Sequence, residues 1–216
     1  MKSFILTTAF IVAASATVSA KTNTTKVLAN GYPYTQVPFT SVNLAHNSFW
    51  GARLQAAREV TVPLAFSKCE SEHRYKNFDM AAYTLKHPGH PGLKTPEWNV
   101  AKIMGFSFDD TDVYKTIEGA SYILQTYPDK KLKAYIDSVL NIVAAAQEPD
   151  GYLYTARTIN PEHPHGWSGK KRWEKEEDLS HELYNLGHMV DAACAHYQAT
   201  GSHKFLDIAR RYADCI

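Results

Sequence analysis

Cysteine is scarce in this chain, with Cys69, Cys194 and Cys215 the only three among 216 residues. An odd count cannot close completely into disulfides, and no C-x-x-C spacing offers a structural zinc site. Cys194 falls among apolar residues at helical spacing, the ordinary place for a small buried thiol. A charge excess of one sign is lacking too. The 23 Lys and Arg against 22 Asp and Glu leave a formal charge of +1, so bulk electrostatics points to no nucleic acid and no anionic membrane. The short basic run Lys170-Lys171-Arg172 is offset by Glu174, Glu176, Glu177 and Asp178. The apolar run Phe4 to Ala14 falls short of the roughly 20 residues a membrane span needs. It follows Lys2 and precedes Val18-Ser19-Ala20, which predicts a secretory signal over 1–20 and an exported protein, periplasmic or extracellular. No GxSxG, P-loop or dinucleotide fingerprint is present, so the chemistries those motifs carry have no support.

What the chain does contain is enough for one sizeable domain. Hydrophobic residues make up 44% and charged residues 21%, ordinary values for a globular protein. Aromatic content of 12%, with 13 Tyr, suits stacking on the apolar faces of sugars or bases. Residues 21–40 read as a leader or short edge strand, and a helix begins near Phe49-Trp50 and runs toward Phe66, with a break or restart at Pro63. Asn77 to Leu85 forms a second short helix, and His87-Pro-Gly-His90-Pro-Gly reads as a turn-rich loop, not a metal site.

Asp109, Asp110 and Asp112 stand before Val113, Ile117, Ala120, Ile123 and Leu124, which predicts a helix whose first turn the carboxylates cap. Calcium ligation would need a glycine turn and a terminal bidentate Glu, and neither follows. After a Tyr127-Pro-Asp turn, Leu132, Tyr135, Ile136, Val139, Leu140 and Val143 make a strong helical stripe. Pro149-Asp150-Gly151 turns the chain again. The long loop Ile159 to Lys175 carries His163, His165, Trp167 and Trp173, and loops of that length are usually functional or disordered. Asp178 or Ser180 then caps a helix ended by Gly201, and Phe205, Ile208, Ala209 and Tyr212 mark its return.

The two hairpins repeat. Adding 73 to Tyr114, Ile117, Ala120, Leu124 and Leu132 gives Gly187, Val190, Ala193, Tyr197 and Phe205. Helix–turn–helix units at a fixed interval predict an all-α toroid or solenoid of helical hairpins. Within Ser180 to Gly201, Leu183, Leu186, Val190, Ala193, Cys194 and Tyr197 form the expected packing face. His181, Tyr184, Asn185, His188 and Asp191 form the other, and the absence of Lys and Arg there suits a cavity wall better than a solvated face. A zincin reading of His181-Glu182 fails on geometry: the next histidine, His188, is two turns away, roughly 10.5 Å along the axis, too far for metal–nitrogen bonds of about 2 Å.

Three segments, Phe106 to Tyr122, Ala144 to Thr155 and SHELYNLGHMVDAACAHYQATG from Ser180, together with Phe49-Trp50-x-x-Arg53, resemble the β-L-arabinofuranosidase family of glycoside hydrolases. The agreement runs in order from Phe49 to Ile216. The resemblance implies the N-terminal portion of an (α/α)6 barrel over 41–216, incomplete in this chain, with β-domains following the barrel in the family. It also implies a retaining hydrolase of plant-type arabinose-containing glycans whose nucleophile is a zinc-bound cysteine thiolate, with a glutamic acid protonating the leaving oxygen. The family's zinc, nucleophile and acid lie later in the barrel, so no catalytic or metal residue is expected here, and none of Cys69, Cys194 and Cys215 matches the zinc motif. The resemblance carries over one substrate contact, His181. His188, Asp112 and Tyr114 are further candidates to line the sugar cavity, with support of neighbouring groups and helix capping as competing roles. The expected partner is a carbohydrate; a non-catalytic sugar-binding or helical interaction module is the alternative.

Overall fold

The computed structural model describes residues 37–91 and 102–216, so the signal expected over 1–20 and most of the 21–40 leader lie outside the described residues. All described residues but Val37 belong to one unit, Pro38–Ile216, and no β-strand occurs among them. After a short 3-10 turn at Phe39–Ser41, α1 (Phe49–Ala56) and α2 (Val62–Ser71) form a nearly continuous helix joined by a π-helical turn, Ala57–Thr61. That turn is the physical answer to Pro63. Proline has no N–H and its ring crowds the preceding turn, and the wider π turn, with Val62 N–H bonded to Ala57 O, gives it room. Pro63 widens the helix instead of breaking it.

Helix α3 (Arg74–Lys86) is longer than the expected segment, and it precedes two helical hairpins. The first pairs α4 (Asp110–Thr126) with α5 (Lys130–Ala145), and Asp129 caps α5 by accepting from Lys131 N and Leu132 N. The second pairs α7 (Glu182–Thr200) with α8 (Lys204–Ala213), turning at Gly201 with φ 72°. A single short turn of helix, α6 (Thr155–Thr158), lies between the hairpins.

The hairpins stack side by side. Lys115 meets Tyr184, and Tyr122 senses the charge of Asp191, so the partner lies 69 positions on each time and α4 and α7 run parallel. Helices α5 and α8 bury one apolar stripe each, Ile136, Val139, Leu140 and Val143 in α5, Phe205, Ile208, Ala209 and Tyr212 in α8. Phe205 reaches Tyr114 at 6.1 Å between ring centres, and Tyr212 reaches Tyr152 at 5.6 Å. Their other sides carry Lys130, Lys131, Asp207, Arg210 and Arg211 to solvent. This is a two-layer arrangement, with α4 and α7 in one layer and α5 and α8 in the other.

Helix α7 packs on a face shifted from the expected one: Leu186 and Ala193 are buried and Val190 lies against the core as expected, but the edges of the face differ. The buried positions are Glu182, Asn185, Leu186, Met189, Ala192, Ala193, Ala195 and His196. Leu183 and Tyr197, expected in the packing face, are exposed, and Asn185, expected on the polar wall, is fully buried. Asn185 is held by the backbone on one side only: its Nδ2 donates to His181 O at 2.7 Å, while its buried Oδ1 has no partner among the described residues. The small alanines let α4 approach closely, and that proximity decides the packing face over side-chain size.

Gly151 holds the junction between the layers. Its φ is 104°, and a Cβ there would stand 2.0 Å from Arg211 O in α8. Gln147 Nε2 stitches the same place, donating to Gly151 O at 2.8 Å and Ile208 O at 2.9 Å. Gly151→Ala therefore combines backbone strain with displacement of α8. The expected loss is roughly 3 kcal/mol, on the order of 10 °C in Tm for a domain of this size. Thermal unfolding followed by circular dichroism measures it; a shift under about 2 °C refutes the assignment.

Candidate functional site

The site gathers where the N-terminal ends of α4 and α7 meet the long loop, and buried carboxylates organise it. Asp109, Asp110 and Asp112 do not cap α4 as expected; no side chain at the helix start takes up its free N–H groups. They reach outward instead. Asp109 accepts from Phe106 N at 2.7 Å and pairs with Arg74 at 3.0 Å. Asp112 takes the same guanidinium at 2.9 Å. Asp110, almost wholly buried, accepts from Thr155 N at 2.8 Å and from Thr155 Oγ1 at 2.6 Å, tying α6 to α4. Burial pushes its carboxyl up to about 7, against the opposing pull of the two Thr155 bonds.

Glu182 plays the corresponding part in α7. Its carboxylate accepts from Tyr152 OH on one oxygen and from Trp173 N at 2.9 Å on the other. Burial raises its pKa and the two donors counter that. Trp173, in the left-handed region at φ 65°, packs on Tyr152 and Tyr212. The loop is thus pinned at its far end to the core. Arg172 pins it again, bonding Glu148 at 2.6 Å and Asp150 at 2.5 Å while lying 4.0 Å over the Tyr152 ring. The loop is ordered by these contacts, so the two tryptophans have different duties. Trp173 is a core anchor. Trp167 stands at the surface in a near-parallel row with Phe106 and Phe108.

His181 sits at the mouth of this arrangement. It occupies the N-cap position of α7 in the left-handed region, φ 59°, and its side chain caps nothing. Asp178 and Ser180 do not cap the helix either. Glu176 does, accepting from Glu182 N at 2.6 Å and Leu183 N at 3.3 Å, and from Ser180 Oγ. The His181 ring lies against Phe108 at 4.9 Å and Tyr184 at 5.6 Å, half-buried. Its Nδ1 is 2.6 Å from Leu179 O. A carbonyl oxygen can only accept, so Nδ1 carries the proton, and in the neutral ring Nε2 presents a bare lone pair.

The remaining candidates separate. His188 is half-buried beside Tyr184, at 4.5 Å between rings, with its pKa lowered by burial and by the nearby Lys115. With Tyr184, Asp191, Lys115, Glu118 and Tyr122 it forms a polar wall on the side of α4 and α7 away from α5 and α8. Asp112 lies apart from His181, held by Arg74 beside Cys69 and Thr116. Tyr114 is withdrawn from the surface. It is fully buried between Phe78 and Phe205, because its position on α4 points into the layer shared with α8. Sequence reasoning misses Glu176, Glu182 and Lys115 as site residues: Glu176 stands in the run Glu174 to Asp178, which reads as solvated charge. Among the described residues no three His, Cys, Asp or Glu come together as a metal ligand set. No described helix is long and apolar enough to cross a membrane.

Parallel helices packed along their length, each covered on one side by an antiparallel partner, define a segment of an α/α barrel with polar groups at its helix ends. The family model of the β-L-arabinofuranosidase GH127 catalytic domain matches residues 41–216, and the chain belongs to that family. The chain is 40% identical over 112 residues to the non-reducing end β-L-arabinofuranosidase of Bifidobacterium longum subsp. longum, covering 52% of this chain and 16% of that one. Among solved structures, the GH127 β-arabinofuranosidase BT3674 superposes with a TM-score of 0.75 at 66% identity, over 86% of this chain and 27% of that one. A GH127 β-L-arabinofuranosidase from Geobacillus stearothermophilus T6 gives 0.66 at 32% identity, over 81% and 25%. The chain thus spans about a quarter of these solved relatives' length. The fold is the corresponding portion of an (α/α)6 barrel.

Asp110 offers a test of the buried framework. Its carboxyl ionises near pH 4 in the unfolded chain but only at about 7 in the folded one. Between those values the unfolded chain gives up a proton that the folded chain keeps, so this group lowers stability as pH rises and levels off above 7. The slope is at most about 1.4 kcal/mol per pH unit. Asp110→Asn keeps an acceptor for Thr155 N and cannot ionise. Its Tm relative to wild type should therefore climb from pH 4 to 7; a difference flat across that range refutes the assignment.

Proposed function

We propose that the chain forms part of the catalytic barrel of an exported β-L-arabinofuranosidase acting on arabinose-containing plant glycans, and that His181 holds the sugar. The observation that carries this reading is the state of the His181 ring. Nδ1 is committed to Leu179 O, leaving Nε2 as an acceptor at the barrel end, matched to a hydroxyl donor and unsuited to a carbonyl or another acceptor. The half-exposed row of Phe106, Phe108 and Trp167 beside it fits the apolar face of a furanose or its neighbour. Family membership supports the choice of sugar, since the relative from Bifidobacterium longum is a non-reducing end β-L-arabinofuranosidase. Zinc belongs to the whole enzyme in this reading. On the family resemblance the nucleophile, its metal and the acid are expected later in the barrel than the portion this chain matches, and on this proposal the 216-residue chain by itself binds without turning over.

Two measurements check this. An aryl β-L-arabinofuranoside incubated with the chain, with and without added zinc, should release no more aglycone than the buffer; turnover above that overturns the silent-segment assignment. L-Arabinose titrated into the chain should perturb the His181 ring resonances, and His181→Ala should weaken binding roughly tenfold, the worth of one hydrogen bond. Equal affinity in both proteins refutes His181 as the contact.

A further inference from the structure

Helix N-caps are ordinarily filled by Ser, Thr, Asp or Asn, whose side chain is consumed in bonding the helix's free N–H groups. In α7 the position belongs to His181, and the capping is done from six residues before Glu182 by the Glu176 carboxylate. One oxygen takes both Glu182 N and Ser180 Oγ, and the other takes Leu183 N. Those three donors lie on either side of His181. The same carboxylate therefore grips the turn that brings Leu179 O within 2.6 Å of His181 Nδ1. A histidine in the left-handed region is strained and stays there only when its surroundings hold it. Tyr154 OH bonded to Ser180 O and Asn185 Nδ2 bonded to His181 O complete the grip.

We infer that Glu176 is a positioning residue for the sugar contact: by capping α7 from outside, it leaves the N-cap imidazole free and fixes its proton on Nδ1, so that Nε2 faces a ligand hydroxyl as an acceptor. The sugar-binding half of this statement rests on the function proposed above; the half about the ring does not. An imidazole released from Leu179 O reverts to the tautomer protonated on Nε2, which histidine favours in water, and becomes a donor where an acceptor is wanted.

The test uses the 216-residue chain labelled with nitrogen-15, reading the ring nitrogens of His181 above its titration range and the affinity for free L-arabinose. Wild type should show a protonated Nδ1 and a bare Nε2. Glu176→Ala should move the proton to Nε2 and weaken arabinose binding roughly fivefold to tenfold. Glu176→Gln retains an oxygen for Glu182 N and Ser180 Oγ, so it should keep the wild-type tautomer and affinity; a purely electrostatic role would not survive it. If Glu176→Ala does not fold, Glu176→Asp, one methylene short of the reach, is read the same way. A wild-type tautomer in the folded Ala or Asp variant overturns the inference. A shifted tautomer in a protein that never binds arabinose upholds the positioning role and removes the sugar reading alone.

Discussion

A carboxylate taken out of water must find donors, and in this protein that requirement joins the parts. Glu182 lies at the first turn of α7 with no exposed surface, answered by Tyr152 OH and Trp173 N. Tyr152 follows the first hairpin and Trp173 sits in the loop, so one buried charge holds three segments distant in sequence. Loss of one partner from such a group costs more than the bond itself is worth, since the charge stays buried without it. Asp110 repeats the device for α4 and α6 through Thr155. Buried carboxyl groups with donors supplied by other segments therefore fix the two helix ends, and the aromatic packing of Trp173 on Tyr152 and Tyr212 closes over Glu182.

This framework explains why the hairpins were legible in the sequence and the site only in part. Helix α5 buries Ile136, Val139, Leu140 and Val143 against one neighbour and shows lysines to water, so one stripe and one period describe it. Helix α7 is contacted on more than one side. Its buried face is built of Ala192, Ala193, Ala195 and Met189 with Asn185 and His196, while Leu183 and Tyr197 stay outside. Hydrophobic weight counts large side chains, whereas close approach of parallel helices selects small ones. His196 shows the consequence: among the described residues neither ring nitrogen has a partner, and burial lowers its pKa.

The three aspartates before α4 mislead for a related reason. Acidic residues at a helix start signal capping because most such starts face water, where the helix's own N–H groups are the nearest donors. Here Arg74 and Thr155 arrive from other elements and outcompete them, which no local pattern announces. Glu176 is the converse. It sits in an acidic run and reads as solvent, yet its carboxylate caps α7. His181 stands out in the sequence through its resemblance to a known motif, and the glutamate whose carboxylate brackets its turn does not.

The polar wall gives these observations a common direction. In a barrel segment the side of α4 and α7 turned away from α5 and α8 cannot be apolar unless something apolar fills the space in front of it. The chain puts Lys115, Glu118 and Tyr122 opposite Tyr184, His188 and Asp191 there, and two pairs among them are bonded: Lys115 donates to Tyr184 OH at 2.7 Å, Tyr122 to Glu118 at 2.7 Å. Groups already paired, within α4 as Tyr122 and Glu118 are or across to α7 as Lys115 and Tyr184 are, resist collapse into the core and need less ordering when a ligand arrives. His181, at the end of that wall, differs from all of them in one respect. Its inner nitrogen is spoken for by the backbone and its outer nitrogen is not. A wall drawn from both helices, with the outer nitrogen of His181 at its rim, is the arrangement on which the proposed sugar contact rests.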